Sequence, residues 1–177
     1  MGVTPRLAHV VLQTNQLEAM RDWYCTVLDA HVVHENGTLC FITFDEEHHR
    51  LAFARFPGLV DRTRKTVGLA HTAYTYPDLD ALLGRYEQLK AIGIMPSRPI
   101  QHGVTTSLYF TDPDGQSVEL QIDNFASTRD ANAYMLTKEF ENDPVGPTFD
   151  PQRMLEARRA GTAVADLTTR KWALSSV

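Results

Sequence analysis

Apolar and polar positions along this chain alternate in short runs that switch between two periods. Residues 7–13 (LAHVVLQ) are rich in β-branched side chains and predict a strand. Behind them Leu17, Met20, Tyr24 and Val27 or Leu28 recur at helical spacing, with Asn15 as the expected N-cap and Glu18 three positions on. Three strand candidates follow at 30–34, 38–45 and 50–56. Asn36-Gly37, a hairpin signal, separates the first two, and the charged corner Asp45-Glu46-Glu47-His48 separates the last two. The unit reads strand, helix, three strands.

The same order returns. Leu7-Ala8-His9 reappears as Leu69-Ala70-His71, and the same offset of 62 carries Leu17 onto Leu79 and Tyr24 onto Tyr86. The second copy predicts a strand over 69–76. A helix opened by Pro77-Asp78 follows, with the stripe Leu79, Leu82, Leu83, Tyr86 and Leu89 and a stop at Gly93. Strands are predicted at 98–101, 105–111 and 117–122, the last two joined by the Asp112-Pro113-Asp114-Gly115 turn. The expected architecture is α+β: two βαβββ modules at 6–57 and 67–125, joined by the polar linker 61–66, form one domain over 1–125. Residues 126–177 belong to neither copy and predict a C-terminal helical extension. Its helices are expected at 129–140 and 152–160 around a Pro/Gly-containing connector at 142–151, and its last residues are expected to fray.

Composition narrows the class. A 43% hydrophobic, 22% charged chain of 177 residues suffices for one sizeable core. A net charge of -5 gives no reason to expect nucleic acid or an anionic membrane as partner. No signal-peptide pattern and no apolar run of membrane-spanning length is present, so a cytoplasmic protein is expected. Cys25 and Cys40 match no zinc spacing and are expected to be reduced and packed.

The chemistry centres on Glu119, an acidic residue inside the apolar run Val118-Glu119-Leu120, where an unpaired carboxylate is costly. The repeat supplies partners: His9 and His71 hold equivalent places on equivalent first strands, and a pseudo-twofold arrangement would bring their imidazoles together. Two His and one carboxylate form the ligand set of a facial triad, which suits Fe(II) and leaves positions open for substrate and oxygen. At the position mirroring Glu119 the first copy has Ala52, which cannot bind a metal. His31 and His34 are expected on opposite faces of a strand, as surface residues.

These residues resemble the vicinal oxygen chelate superfamily. The stretch ending at Glu119 is similar to the signature of its one-domain extradiol ring-cleaving dioxygenases, met here by His102, Leu108-Tyr109, Asp112-Pro113, Gly115 and Glu119. His48-His49 before Leu51-Ala52-Phe53 is similar to the family segment whose second His is the catalytic base. The resemblance implies a half-open mixed sheet around a metal held by His9, His71 and Glu119, with Fe(II) as cofactor and Mn(II) as the alternative. It further implies His49 as acid/base, His102 orienting a substrate hydroxyl, and Tyr109 bonding a substrate oxygen. The implied substrates are a small aromatic vicinal diol and O2, with both oxygen atoms entering the product on cleavage beside the diol. Phe53, Phe110 and Phe125 are expected pocket walls, Arg55 or Arg98 an anchor for a carboxylated substrate, and a homodimer or higher homo-oligomer the expected assembly. Rival readings are a glyoxalase-like isomerase or antibiotic-resistance transferase on the same scaffold, and a metal-free drug-binding protein.

Overall fold

The helix over Leu17–Leu28 (α1) buries Leu17, Met20, Tyr24, Val27 and Leu28, the stripe that its periodicity predicts. Each such side chain contributes about 1.5–3 kcal/mol on burial. It follows β1 (Val10–Gln13) and precedes β2 (His31–Glu35), β3 (Leu39–Thr43) and β4 (Leu51–Ala54). The computed structural model describes residues 3–63 and 67–177. Of the predicted linker, Arg64, Lys65 and Thr66 lie outside the described residues, as do Met1 and Gly2.

The second copy repeats the order: β5 (His71–Thr75), α2 (Leu79–Ala91), β6 (Arg98–Gln101), β7 (Thr105–Thr111) and β8 (Ser117–Asp123). The strands form two four-stranded mixed sheets, ordered β1-β4-β3-β2 and β5-β8-β7-β6. In each, the first strand of the copy runs parallel to the last and the other pairings are antiparallel. The repeat is legible in packing too: Leu17 and Leu79, and Tyr24 and Tyr86, are all buried on the helices that cover their sheets.

The extension forms α3 (Thr128–Met135), α4 (Lys138–Asn142), α5 (Pro151–Arg159), α6 (Val164–Leu167) and α7 (Arg170–Ser176). By compactness the chain divides into a unit of residues 1–68 with 112–116, and a unit of 69–111 with 117–177 that includes these helices. In the second unit α5 packs on α2, where Arg158 pairs with Asp80 and Arg159 with Glu87. In the first unit the buried Asp112 carboxylate accepts a hydrogen bond from the Tyr24 hydroxyl at 3.0 Å.

Several local expectations change. The first strand begins at Val10 rather than residue 7, because its partner β4 begins at Leu51, opposite Val10. The Leu7 and Ala8 carbonyls accept from the Arg50 guanidinium instead. Asn15 does not cap α1; its amide reaches the Leu59 carbonyl and Asp61, and the Gln16 N–H is met by the Thr14 hydroxyl. Asp78, by contrast, caps α2 through the Ala81 N–H, and Gly93, at φ 82°, turns the chain out of that helix. The helix predicted over 129–140 breaks after Met135, where the Thr137 hydroxyl caps a new one. The final residues are not frayed: α7 buries Arg170, Ala173 and Ser176.

Both thiols are free. Cys40 is fully buried, and desolvation pushes its pKa up to about 11.

Candidate functional site

Glu119 occupies the middle of β8, in register with Ala73 on β5 and Tyr109 on β7. Tyr109 in turn faces Arg98 on β6, so one row across the second sheet reads Ala73, Glu119, Tyr109, Arg98. Partners in register share a face, which directs Glu119, Tyr109 and Arg98 to the same side. Glu119 is only 4% exposed, and its Oε2 lies 3.0 Å from Nε2 of His71, the first residue of β5. The His71 ring stands edge-on to Tyr109, with centroids 5.4 Å apart. The other carboxylate oxygen, Oε1, lies 3.9 Å from Nε2 of His102.

Nε2 of His102 is 3.0 Å from the Tyr109 hydroxyl, which also bonds Glu119. Burial is the chief cause holding the His102 pKa below the ordinary histidine value, so the ring is neutral at pH 7. Burial and the Glu119 charge raise that of Tyr109 and keep its proton on the oxygen. The loop carrying His102 is locked by a polar network. The Asn124 amide donates to Gln101 Oε1 and to the Gly103 carbonyl, the Gln101 amide donates to the Thr106 hydroxyl, and Gln101 Oε1 also accepts from the Gly103 N–H. Gln101 is fully buried, and such a network is favourable only when satisfied.

The first sheet carries the corresponding row Val11, Ala52, Phe41, His34. Ala52 thus holds the register position of Glu119, as the alignment of the copies predicts, and Phe41 that of Tyr109. His9, exposed and one residue ahead of β1, lies with its ring centroid 4.3 Å from that of His49. His49 stacks on Phe41 at 4.6 Å, and its Nδ1 is 2.6 Å from Nδ1 of the exposed His48. Desolvation, followed by the charges of His9 and His48, lowers the His49 pKa, leaving a neutral imidazole able to accept a proton.

The structure therefore brings His71, Glu119, His102 and Tyr109 together in the second unit, and His9 with His49 in the first. Among the described residues, no group of three or more His, Cys, Asp and Glu side chains is placed to hold a metal ion. The donor chemistry nonetheless fits a divalent metal: a carboxylate shielded from water, with a partly exposed imidazole beside it.

Three expectations are corrected. Phe53 and Phe110 are fully buried; Phe53 packs on Tyr24 of α1, and the register of Phe110 with Val118 places it on the face opposite Tyr109, so neither lines a site. A bulge in β2 between Val32 and His34 sets His31 opposite Thr43 and His34 opposite Phe41, residues two apart, so the two histidines share a face. Arg55 is tied to Glu18, whereas the Arg98 guanidinium lies 4.7 Å from the centre of the Tyr109 ring. Phe125 is half-buried, its ring 5.5 Å from that of Tyr134. Sequence patterning pointed neither to Phe41 as the platform under His49 nor to Arg170, whose guanidinium donates to the His102 carbonyl.

Residues 6–120 match the Glyoxalase/Bleomycin resistance protein/Dioxygenase superfamily. The chain belongs to that superfamily. Within it, biphenyl-2,3-diol 1,2-dioxygenase 3 of Rhodococcus globerulus is 57% identical over 178 residues, spanning 99% of this chain and 94% of the relative. Biphenyl-2,3-diol 1,2-dioxygenase 2 of the same organism is 59% identical over 177 residues, spanning 99% and 93%. A solved glyoxalase/dioxygenase from Nostoc punctiforme superposes with a TM-score of 0.57 over 70% of this chain and 97% of its own, at 20% identity, and so shares the superfamily fold.

Proposed function

We propose that this superfamily member is an extradiol dioxygenase that cleaves the ring of a catechol-type diol beside its vicinal hydroxyls, incorporating both atoms of O2. The observation that carries this reading is identity of 57–59% to two biphenyl-2,3-diol 1,2-dioxygenases over 99% of the chain. Relatives matched end to end favour ring cleavage over an isomerase, a resistance transferase or a drug-binding protein on the same scaffold.

His9, His71 and Glu119 are proposed as the metal ligands, with Fe(II) preferred over Mn(II) for a two-histidine, one-carboxylate set. When bound, the metal would supply a common site for diol and O2 and a path for electron density from one to the other. The protein's own groups do the rest. The neutral His49, seated on Phe41, takes a proton from the diol. His102 orients a substrate hydroxyl through Nε2, and Tyr109, which retains its proton, donates to a substrate oxygen as negative charge develops there. The substrate face is the side of the second sheet that carries Tyr109 and Glu119.

The test is anaerobic reconstitution with Fe(II) or Mn(II) separately, followed by aeration with biphenyl-2,3-diol or catechol. Oxygen uptake with a yellow ring-opened product is expected, faster with Fe(II). No uptake with either metal across a panel of vicinal diols would overturn the proposal. Among the described residues no helix is long and apolar enough to cross a membrane, and a cytoplasmic location is proposed with the catabolic role. Self-association is proposed from β2, an edge strand exposed along its whole length, and light scattering of the purified protein tests it.

A further inference from the structure

Arg170 is the first residue of α7, where a cation opposes the helix dipole, and it is 8% exposed. Local helix physics does not favour it there, and burying a guanidinium is costly unless its donors are met. Its shortest contact is Nη2 to the main-chain carbonyl of His102, at 2.6 Å across 68 residues of sequence, a charge-assisted bond. Around that bond, Nη1 meets the Glu139 carbonyl at 3.5 Å and lies 3.9 Å from an Asp143 carboxylate oxygen. The rings of Tyr134 and Phe140 flank the guanidinium at 5.8 and 6.0 Å, and Nε is buried with no hydrogen-bond partner among the described residues. The helical extension also backs β6 directly, since the Gln101 N–H donates to the Pro147 carbonyl and Ile100 bridges Thr148.

We propose that Arg170 is a positioning residue, fixing the His102 carbonyl and thereby the direction of the His102 ring toward Tyr109 and Glu119. This rests on the reading that His102 orients the substrate. The polar network around Gln101 and Asn124 holds the loop from the sheet side; Arg170 holds it from the helical extension. The peptide plane at His102 is thus fixed on both sides, and rotation of the ring about its side-chain bonds is checked by its hydrogen bond to the Val145 main chain.

The experiment compares Arg170→Met, Arg170→Lys and the control Arg153→Met, which removes a different arginine that ties α5 to the end of α7 through the Ser176 carbonyl. On the metal-free protein, hydrogen exchange of the His102 amide, which bonds the Thr105 carbonyl, is read directly. Arg170→Met is expected to speed it at least about tenfold, Arg170→Lys less, and Arg153→Met not at all. In turnover of biphenyl-2,3-diol, Arg170→Met is expected to lower kcat roughly 10- to 100-fold, the scale of a small misplacement of a reacting group. In a His102→Gln background the same substitution is expected to change kcat by no more than about twofold, since its effect passes through that ring. Unchanged exchange, equal losses in the Arg153 and Arg170 variants, or an undiminished loss in the His102→Gln background would each overturn the proposal. If the unsubstituted protein consumes no O2 with any diol, the functional reading fails instead, and the exchange measurement still decides whether Arg170 holds the loop.

Discussion

Nε2 of His71 and Oε2 of Glu119 lie 3.0 Å apart, joining the first residue of β5 to the middle of β8. As Glu119 is nearly dry, its charge needs a cation or a protonated partner. Glu119→Gln keeps the shape and removes the charge, so affinity for Fe(II) should fall by at least about 10- to 100-fold. Iron retained per chain after anaerobic desalting measures it. Full retention would exclude Glu119 as a ligand, and the same assay on His9→Ala tests His9.

Tyr109→Phe removes the hydroxyl shared by His102 and Glu119 while preserving the ring under Arg98. Loss of a donor aimed at developing charge should lower kcat about 100-fold with KM changed only a few-fold. Oxygen-electrode kinetics would decide it; a retained kcat would reduce Tyr109 to a packing residue.

Burial raises the Asp112 pKa, against the opposing pull of hydrogen bonds from the Gln116 and Asp114 N–H groups and the Tyr24 hydroxyl. A raised folded pKa means that the protonated carboxyl favours the fold. That contribution is fully present below the unfolded value and is lost as pH rises through the folded one. The stability of the native protein relative to Asp112→Asn should therefore decline as pH climbs from 4 to 7, in urea titrations of both. A gap that widens in favour of the native protein would mean that the anion is the stabilised form. Tyr24→Phe, which strips one of these bonds, should cost about 1–3 kcal/mol at pH 7.

Gly146 has φ 86°, and a Cβ there would stand 2.0 Å from the Gln101 carbonyl oxygen, a main-chain atom that cannot step aside. Gly146→Ala should destabilise the protein by more than about 1 kcal/mol, lowering Tm by at least roughly 2–4 °C. Gly93→Ala, equally left-handed but open to solvent, should cost less. Calorimetry of the pair separates backbone strain from collision.

Much of the fold was written in periodicity, because the apolar stripes of α1 and α2 and the runs of β7 and β8 bury the side chains that define them. What escaped was decided by partners distant in sequence. Asn15 has the chemistry of a cap, yet Leu59 and Asp61 claim its amide. Nothing local announces that an extra residue in β2 turns His34 to the side of His31. His71, Glu119, His102 and Tyr109 could be singled out as residue types at telling spacings, but the support beneath them could not. Phe41 under His49 and Arg170 behind His102 are ordinary residues in their own segments, and tertiary placement alone brings them there.

The two sheets lay down the same four-position row, Val11-Ala52-Phe41-His34 in one and Ala73-Glu119-Tyr109-Arg98 in the other. The molecule thus carries its own blank: the same register, once with a carboxylate and phenol and once with a methyl and a plain ring. The first sheet has no dry charge to keep at the centre of its row, so apolar substitutions at Ala52 are limited by volume, while Phe41 is held to an aromatic ring by the His49 stacked on it. Of the two rows only the second holds a buried ionisable carboxylate, Glu119.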